Sequence, residues 1–213
     1  MAAEGAEPNL SPAIVHSHKR CFQMRPTLSL CRLLAIAFCC APILGGTAAA
    51  GIEKIMSPCD NKLCAFFRAS ITIPPGWTED KESTRYFNSQ FLLPVGVAFE
   101  KAPAKIYVVV RYNRNRQPIS DFIPAGIADW KSRAKDSKIT KLDDLPRGEG
   151  KPAFERRQFE APSLKEQGYE LQAVTSDDDK DGNQFIVSIM LSANSRAALK
   201  AAEPAYLAIL EKY

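Results

Sequence analysis

Apolar residues recur at every second position over Phe67, Ala69, Ile71 and Ile73, with Arg68, Ser70 and Thr72 between them. That period predicts a strand with one wet face. Pro74-Pro75-Gly76 ends it, because proline removes ladder donors and glycine permits a turn. Trp77 is expected as a lid over the core. Upstream, residues 51–65 show no period and read as an irregular arm. Downstream, residues 78–83 (TEDKES) read as a polar turn, and residues 84–93 (TRYFNSQFLL) can hold one or two short strands. Pro94, Gly96 and the stretch EKAPA at 100–104 break the pattern again. Residues 105–112 (KIYVVVRY) are β-branched and aromatic, and apolar on both parities, which is the pattern of a central strand.

The period then changes. Ile119, Ile123, Ile127, Trp130 and Ala134 fall at helical spacing. The helix begins between Ser120 and Pro124; Asp121 as N-cap would leave Pro124 in the first turn, where its missing N–H costs little. Residues 138–142 and 152–160 read as strands. Phe154 and Phe159 have opposite parity, so a bulge is expected between them if both are buried on one face. The clearest hairpin follows. Tyr169, Leu171 and Ala173 alternate with Glu170 and Gln172, and Phe185, Val187, Ile189 and Leu191 form the return. The intervening SDDDKDGN is rich in turn formers. The chain ends in an amphipathic helix capped by Asn194 or Ser195, with Leu199, Ala202, Tyr206, Ile209 or Leu210, and Tyr213 as its stripe. Pro204 either kinks this helix or restarts it.

Strands grouped together, rather than alternating with helices, imply an α+β fold. It should be a mostly antiparallel sheet with helices packed on it, including the C-terminal helix.

The N-terminal residues follow another pattern. From Met24 to Gly51 the chain reads MRPTLSLCRLLAIAFCCAPILGGTAAAG. Arg25 and Arg32 are basic, Leu33–Leu44 is a short apolar run, and Ala48-Ala49-Ala50 is an A-x-A-like cleavage site. Basic, apolar and small segments in that order predict a secretory signal peptide over 24–50. The competing reading is a single membrane anchor, which the shortness of the run and Pro42 disfavour. Residues 1–23 are an upstream leader without a targeting pattern, and translation from Met24 is expected. The mature chain is then one domain, 51–213, exported to the periplasm or secreted, and it meets the membrane only during export.

Cleavage changes the chemistry of what remains. The full chain carries +4. Four cations (Lys19, Arg20, Arg25, Arg32) and two anions (Glu4, Glu7) leave with the leader, so the mature domain is about +2, too weak a charge for a nucleic-acid partner. Both histidines, His16 and His18, leave as well. Histidine triads, histidine-ligated zinc and histidine general bases are thereby excluded from the mature domain, whereas carboxylate chemistry survives. Of six cysteines only Cys59 and Cys64 remain. In an oxidising compartment they read as a disulfide closing a short loop, contributing roughly 2 kcal/mol. Zinc would need a second ligand pair, and a redox motif would need C-x-x-C. Lipidation is disfavoured because Phe38 precedes Cys39.

The segment FRASITIPPGW (Phe67–Trp77), the helix around Trp130, and the ending VSIMLSANSRAALKAAEPAYLAILEKY (Val187–Tyr213) resemble the PsbP-like and Mog-like α/β/α sandwiches, including small exported bacterial proteins of the DcrB type. The resemblance implies a compact accessory or binding domain without catalysis. It carries over no metal ligand.

Three constellations are candidates for chemistry. Asp177, Asp179 and Asp181, followed by Gly182, match the D-x-D-x-D-G half of a calcium loop. Position twelve, however, is Ser188 rather than Glu, and the competing reading is a charged hairpin turn. Calcium is the one cofactor these residues suggest. Arg111, Arg114 and Arg116 ahead of a helix could hold an anion; a solvated loop is the alternative. Glu155, Glu160, Glu166 and Glu170 lie on neighbouring expected strands and read as charge on a wet face. The sequence therefore points to an exported, non-enzymatic binding or accessory domain whose partner is a protein or envelope component. A carboxylate-dependent hydrolase of envelope glycans is the alternative. The first predicts a shallow apolar patch and no cleft, the second two carboxylates facing each other across a groove.

Overall fold

The computed structural model describes residues 51–59 and 62–213; the leader 1–23 and the signal peptide 24–50 lie outside the described residues. In chain order, β1 (Ile52–Cys59) and β2 (Lys62–Ala69) are followed by β3 (Trp77–Glu79), α1 (Lys81–Phe87), β4 (Gln90–Pro94) and β5 (Ala104–Tyr112). Then come α2 (Ile119–Arg133), β6 (Lys138–Lys141), β7 (Glu155–Glu160), β8 (Tyr169–Asp178), β9 (Gln184–Ala193) and α3 (Arg196–Lys212). β1 and β2 form a two-stranded hairpin. The other seven strands form one antiparallel sheet in the order β3-β4-β5-β9-β8-β7-β6. The α+β expectation holds, with the closing helix in place.

The sheet is covered on both faces, and strand parity decides which helix each residue meets. On one face Ile106 and Val108 of β5, Val187, Ile189 and Leu191 of β9, and Leu171 and Ala173 of β8 meet Leu199, Tyr206, Ile209 and Leu210 of α3. The β1–β2 hairpin shares this face: Phe67 stands 4.6 Å from the Phe185 ring. On the opposite face α2 sets Trp130 and Ala134 against Phe159 and Ala161. α3 begins at Ser195, whose side chain accepts from Ala198 N–H, and runs unbroken through Pro204.

Several expectations are corrected. The arm 51–65 is not irregular: it is β1 and most of β2, with Ile52 opposite Ala69 and Cys59 opposite Lys62. The strand expected to run to Ile73 stops at Ala69. TEDKES is not only a turn; Asp80 caps a helix by accepting from Glu82 N–H. α2 starts one turn earlier than Asp121, directly after Pro118. β5 is an interior strand as expected, paired on both sides with β4 and β9, and β9 is the middle one of the seven. No bulge separates Phe154 from Phe159, since β7 pairs with β8 in continuous register. Both rings are buried because opposite parity sends Phe154 to the α3 face and Phe159 to the α2 face.

Candidate functional site

α2 reaches only part of its face. Its Trp130 half sits on Phe159, and the rest stands off from β5, β9 and β8, leaving a cleft of about 480 Å³. The floor is the α2-facing row of three strands, including Tyr107 and Val109 of β5, Ser188 and Met190 of β9, and Gln172 of β8. Phe122, Ile123 and Trp130 form the helix wall. The cleft's size is within the usual range for small-molecule sites, and it combines an apolar lining with a few convergent polar groups.

Its chemical centre is Glu170, on the floor beneath α2. The residue is 4% exposed. Tyr107 donates its hydroxyl to the Glu170 carboxylate at 2.5 Å. Burial pushes the carboxyl up to about 7, because the charged form loses water. The Tyr107 hydrogen bond, the nearby Arg133 charge and the Trp130 indole oppose that rise without cancelling it. Burial, and then the Glu170 charge, also raise the Tyr107 phenol. Asp121 and Asp129 line the helix side of the same cleft with Arg133, while Arg111 stands at the β5 end. Asp129 is ion-paired with Arg133 at 3.1 Å.

Glu170 is the residue that pattern reading misplaced. It alternates with apolar Tyr169 and Leu171, and so read as wet-face charge. The face is covered instead. The signal was present on the neighbouring strand, where Ile186 and Met190 are apolar at the parity opposite to Val187 and Ile189, and both are buried. A strand apolar on both parities is covered on both faces, and its partner must be too. The other carboxylates disperse. Glu155 pairs with Arg157 and Glu160 with Arg196.

The aspartate loop is held by internal hydrogen bonds and ion pairs. Asp177 accepts from the buried guanidinium of Arg147 at 2.9 Å. Asp179 accepts from Asp181 N–H and from Asn183 N–H and its side-chain amide, closing the β8–β9 turn. The Asn183 hydrogen bonds hold its carboxyl below the ordinary value. Gly182 completes the turn at φ +77, a region that disfavours side chains. Among the described residues, Asp177, Asp179 and Asp181 form no group that could hold a metal ion.

The arginine trio also separates. Arg111 lines the cleft. Arg116, at φ 50, donates to Gly182 C=O at 2.8 Å and pairs with Asp178 at 3.7 Å, bridging the two loops. The loop is shaped by buried Asn113, which donates to Gln117 C=O and to the Gln184 side chain. Arg114 is exposed. Cys64 is disulfide-bonded; the Cys59 side chain lies outside the described residues.

The fold and cleft thus define an α+β sheet protein with a helix-roofed pocket. No protein-family model matches the chain, and no curated protein matches it. Among solved structures, a crystal structure of a Pseudomonas aeruginosa protein of unknown function matches at TM-score 0.37 and 10% identity, covering 73% of this chain and 92% of that one. At that level of likeness it carries no argument about function.

Proposed function

We propose that the chain is an exported, non-catalytic binding domain of the cell envelope, and that the cleft beneath α2 is where it binds. The observation that carries the binding reading is Glu170: a buried carboxyl, held by Tyr107, at the base of an accessible cleft. A binding domain is expected to show a shallow apolar patch and no cleft; the cleft beneath α2 departs from that expectation and moves the reading toward a small ligand or a protruding group of a larger partner. Tyr107, Gln172 and Ser188 offer hydrogen bonds from the floor, while Trp130 and Met190 offer apolar area. A ligand carrying a donor group, such as an amine or hydroxyl, would meet Glu170. Export is supported by the basic, apolar and small order of residues 24–50. No described helix is long and apolar enough to cross a membrane.

Two measurements test this. N-terminal sequencing of the protein recovered from the envelope should begin at Gly51, and a peptide map without reduction should show Cys59 joined to Cys64. A start upstream of Met24, or retention of the apolar run, contradicts export by cleavage. A fragment screen followed by melting temperature should return compounds whose stabilisation is lost in Glu170→Gln.

A second reading has its own observation. Glu170 and Asp129 line opposite sides of one cleft, and a carboxyl raised to about 7 suits a general acid. That is the arrangement a glycan hydrolase needs. Release of reducing ends from purified cell-wall glycan, abolished by both Glu170→Gln and Asp129→Asn, would favour the hydrolase over the binding domain. Binding with no release would favour the reverse.

A further inference from the structure

A second pocket, of about 300 Å³, lies away from the α2 cleft, between the β1–β2 hairpin, α1 and β4. Its back is apolar, made by Ile55, Phe66 and Val108. Its rim is cationic, with Arg68, Lys81 and Arg85 against one acid, Glu79. The charges are not equivalent. Arg68 donates to Glu79 at 2.8 Å, with both side chains partly buried. With its amide oriented to satisfy both ends, buried Gln90 accepts from Arg68 at 2.9 Å and donates to Ala69 C=O. Arg68 is therefore neutralised and fixed in place.

Lys81 and Arg85 are different. They stand four residues apart on α1, on the same side of the helix, and both are exposed. Like charges at that spacing destabilise a helix, and neither forms a salt bridge among the described residues. Two unopposed cations thus flank an apolar hollow built on a part-buried ion pair.

We propose that this pocket binds a single-chain amphiphile with a carboxylate head. The tail lies against Phe66, Ile55 and Val108, and the head meets Lys81 and Arg85. The opposite charge satisfies the like-charge pair, and the apolar wall loses water. The volume sits at the lower end of the roughly 300–1,000 Å³ typical of such sites, which fits one short chain rather than a two-chain lipid.

The test is calorimetric titration of the purified full-length protein with decanoate, decanol and decylamine below their micellar concentrations. Decanoate should saturate one site. Decanol and decylamine, sharing its tail, should bind at least ten-fold more weakly. The double variant Lys81→Gln/Arg85→Gln should weaken decanoate at least ten-fold while keeping the wild-type circular dichroism spectrum. Phe66→Ser should weaken all three. Glu170→Gln should change nothing here, which separates this pocket from the cleft beneath α2. Absence of saturable decanoate binding, equal binding of decanol, or an unchanged affinity in the double variant overturns the proposal.

Discussion

Arg147→Ala should cost the fold about 3–5 kcal/mol, a large part of a small domain's stability. The Arg147 side chain is 1% exposed. Its guanidinium pairs with Asp177 at 2.9 Å, donates to the Thr175 hydroxyl at 3.2 Å, and lies over the Tyr213 and Phe154 rings at 4.8 and 5.2 Å. One side chain thus ties the β6–β7 connection to β8 and to the end of α3. Removing it leaves Asp177 mostly buried without its partner and opens a hole beside the Phe154 and Tyr213 rings. Replacing both partners, as Arg147→Met with Asp177→Leu, should recover most of the loss, because no charge is then stranded. Urea unfolding of the three proteins measures this. An Arg147→Ala loss below about 1 kcal/mol would show the pair to be peripheral.

Glu170→Gln should stabilise the protein at pH 8 and flatten its stability between pH 5 and 7. The sign follows from the direction of the shift. Glu170 is raised from 4.5 to about 7 in the folded protein, so across that window the native state holds a proton that the unfolded chain has released. Stability therefore falls as pH rises from about 4.5 through about 7, then levels off. The span corresponds to about 3 kcal/mol. Asp136 and Asp179 have lowered values; their contribution has the opposite sign and is lost only as pH falls below the ordinary aspartate range. The glutamine variant keeps the side-chain shape and cannot ionise. Urea midpoints from pH 5 to 8 should fall for the wild type and stay level for Glu170→Gln. A wild-type midpoint that rises over this window contradicts a buried, reluctant carboxyl.

The sequence was most legible where local signals agreed. Alternation in Tyr169–Ala173 and Phe185–Leu191, joined by an Asp- and Gly-rich turn, located β8 and β9, and the Asn194–Ser195 pair located the start of α3, where Ser195 is the cap. It failed where one residue type serves two purposes. Proline and cysteine in MSPCDNKLC hid a hairpin whose pairing is set by backbone register. Asp80 reads equally as a turn residue and as the cap it is. In the acid-rich loop, Asp177 meets Arg147, thirty residues earlier in the chain, a partner no local pattern could supply. Glu170 was the costliest miss. Period-two patterning assigns residues to faces but does not say whether the second face is wet, and here α2 covers it.

The cleft is best tested through Trp130, since only two tryptophans occur in the chain. Trp130 walls the cleft, whereas Trp77 packs with the α3-side core. Their indole N–H resonances therefore report on different sites. In a titration of ¹⁵N-labelled protein with an amine- and hydroxyl-bearing fragment set, binders should shift the Trp130 indole and leave Trp77 in place. Their affinity should fall at least ten-fold in Glu170→Gln and in Tyr107→Phe. Binders that leave Trp130 unmoved, or that keep their affinity in both variants, would contradict a ligand site centred on Glu170.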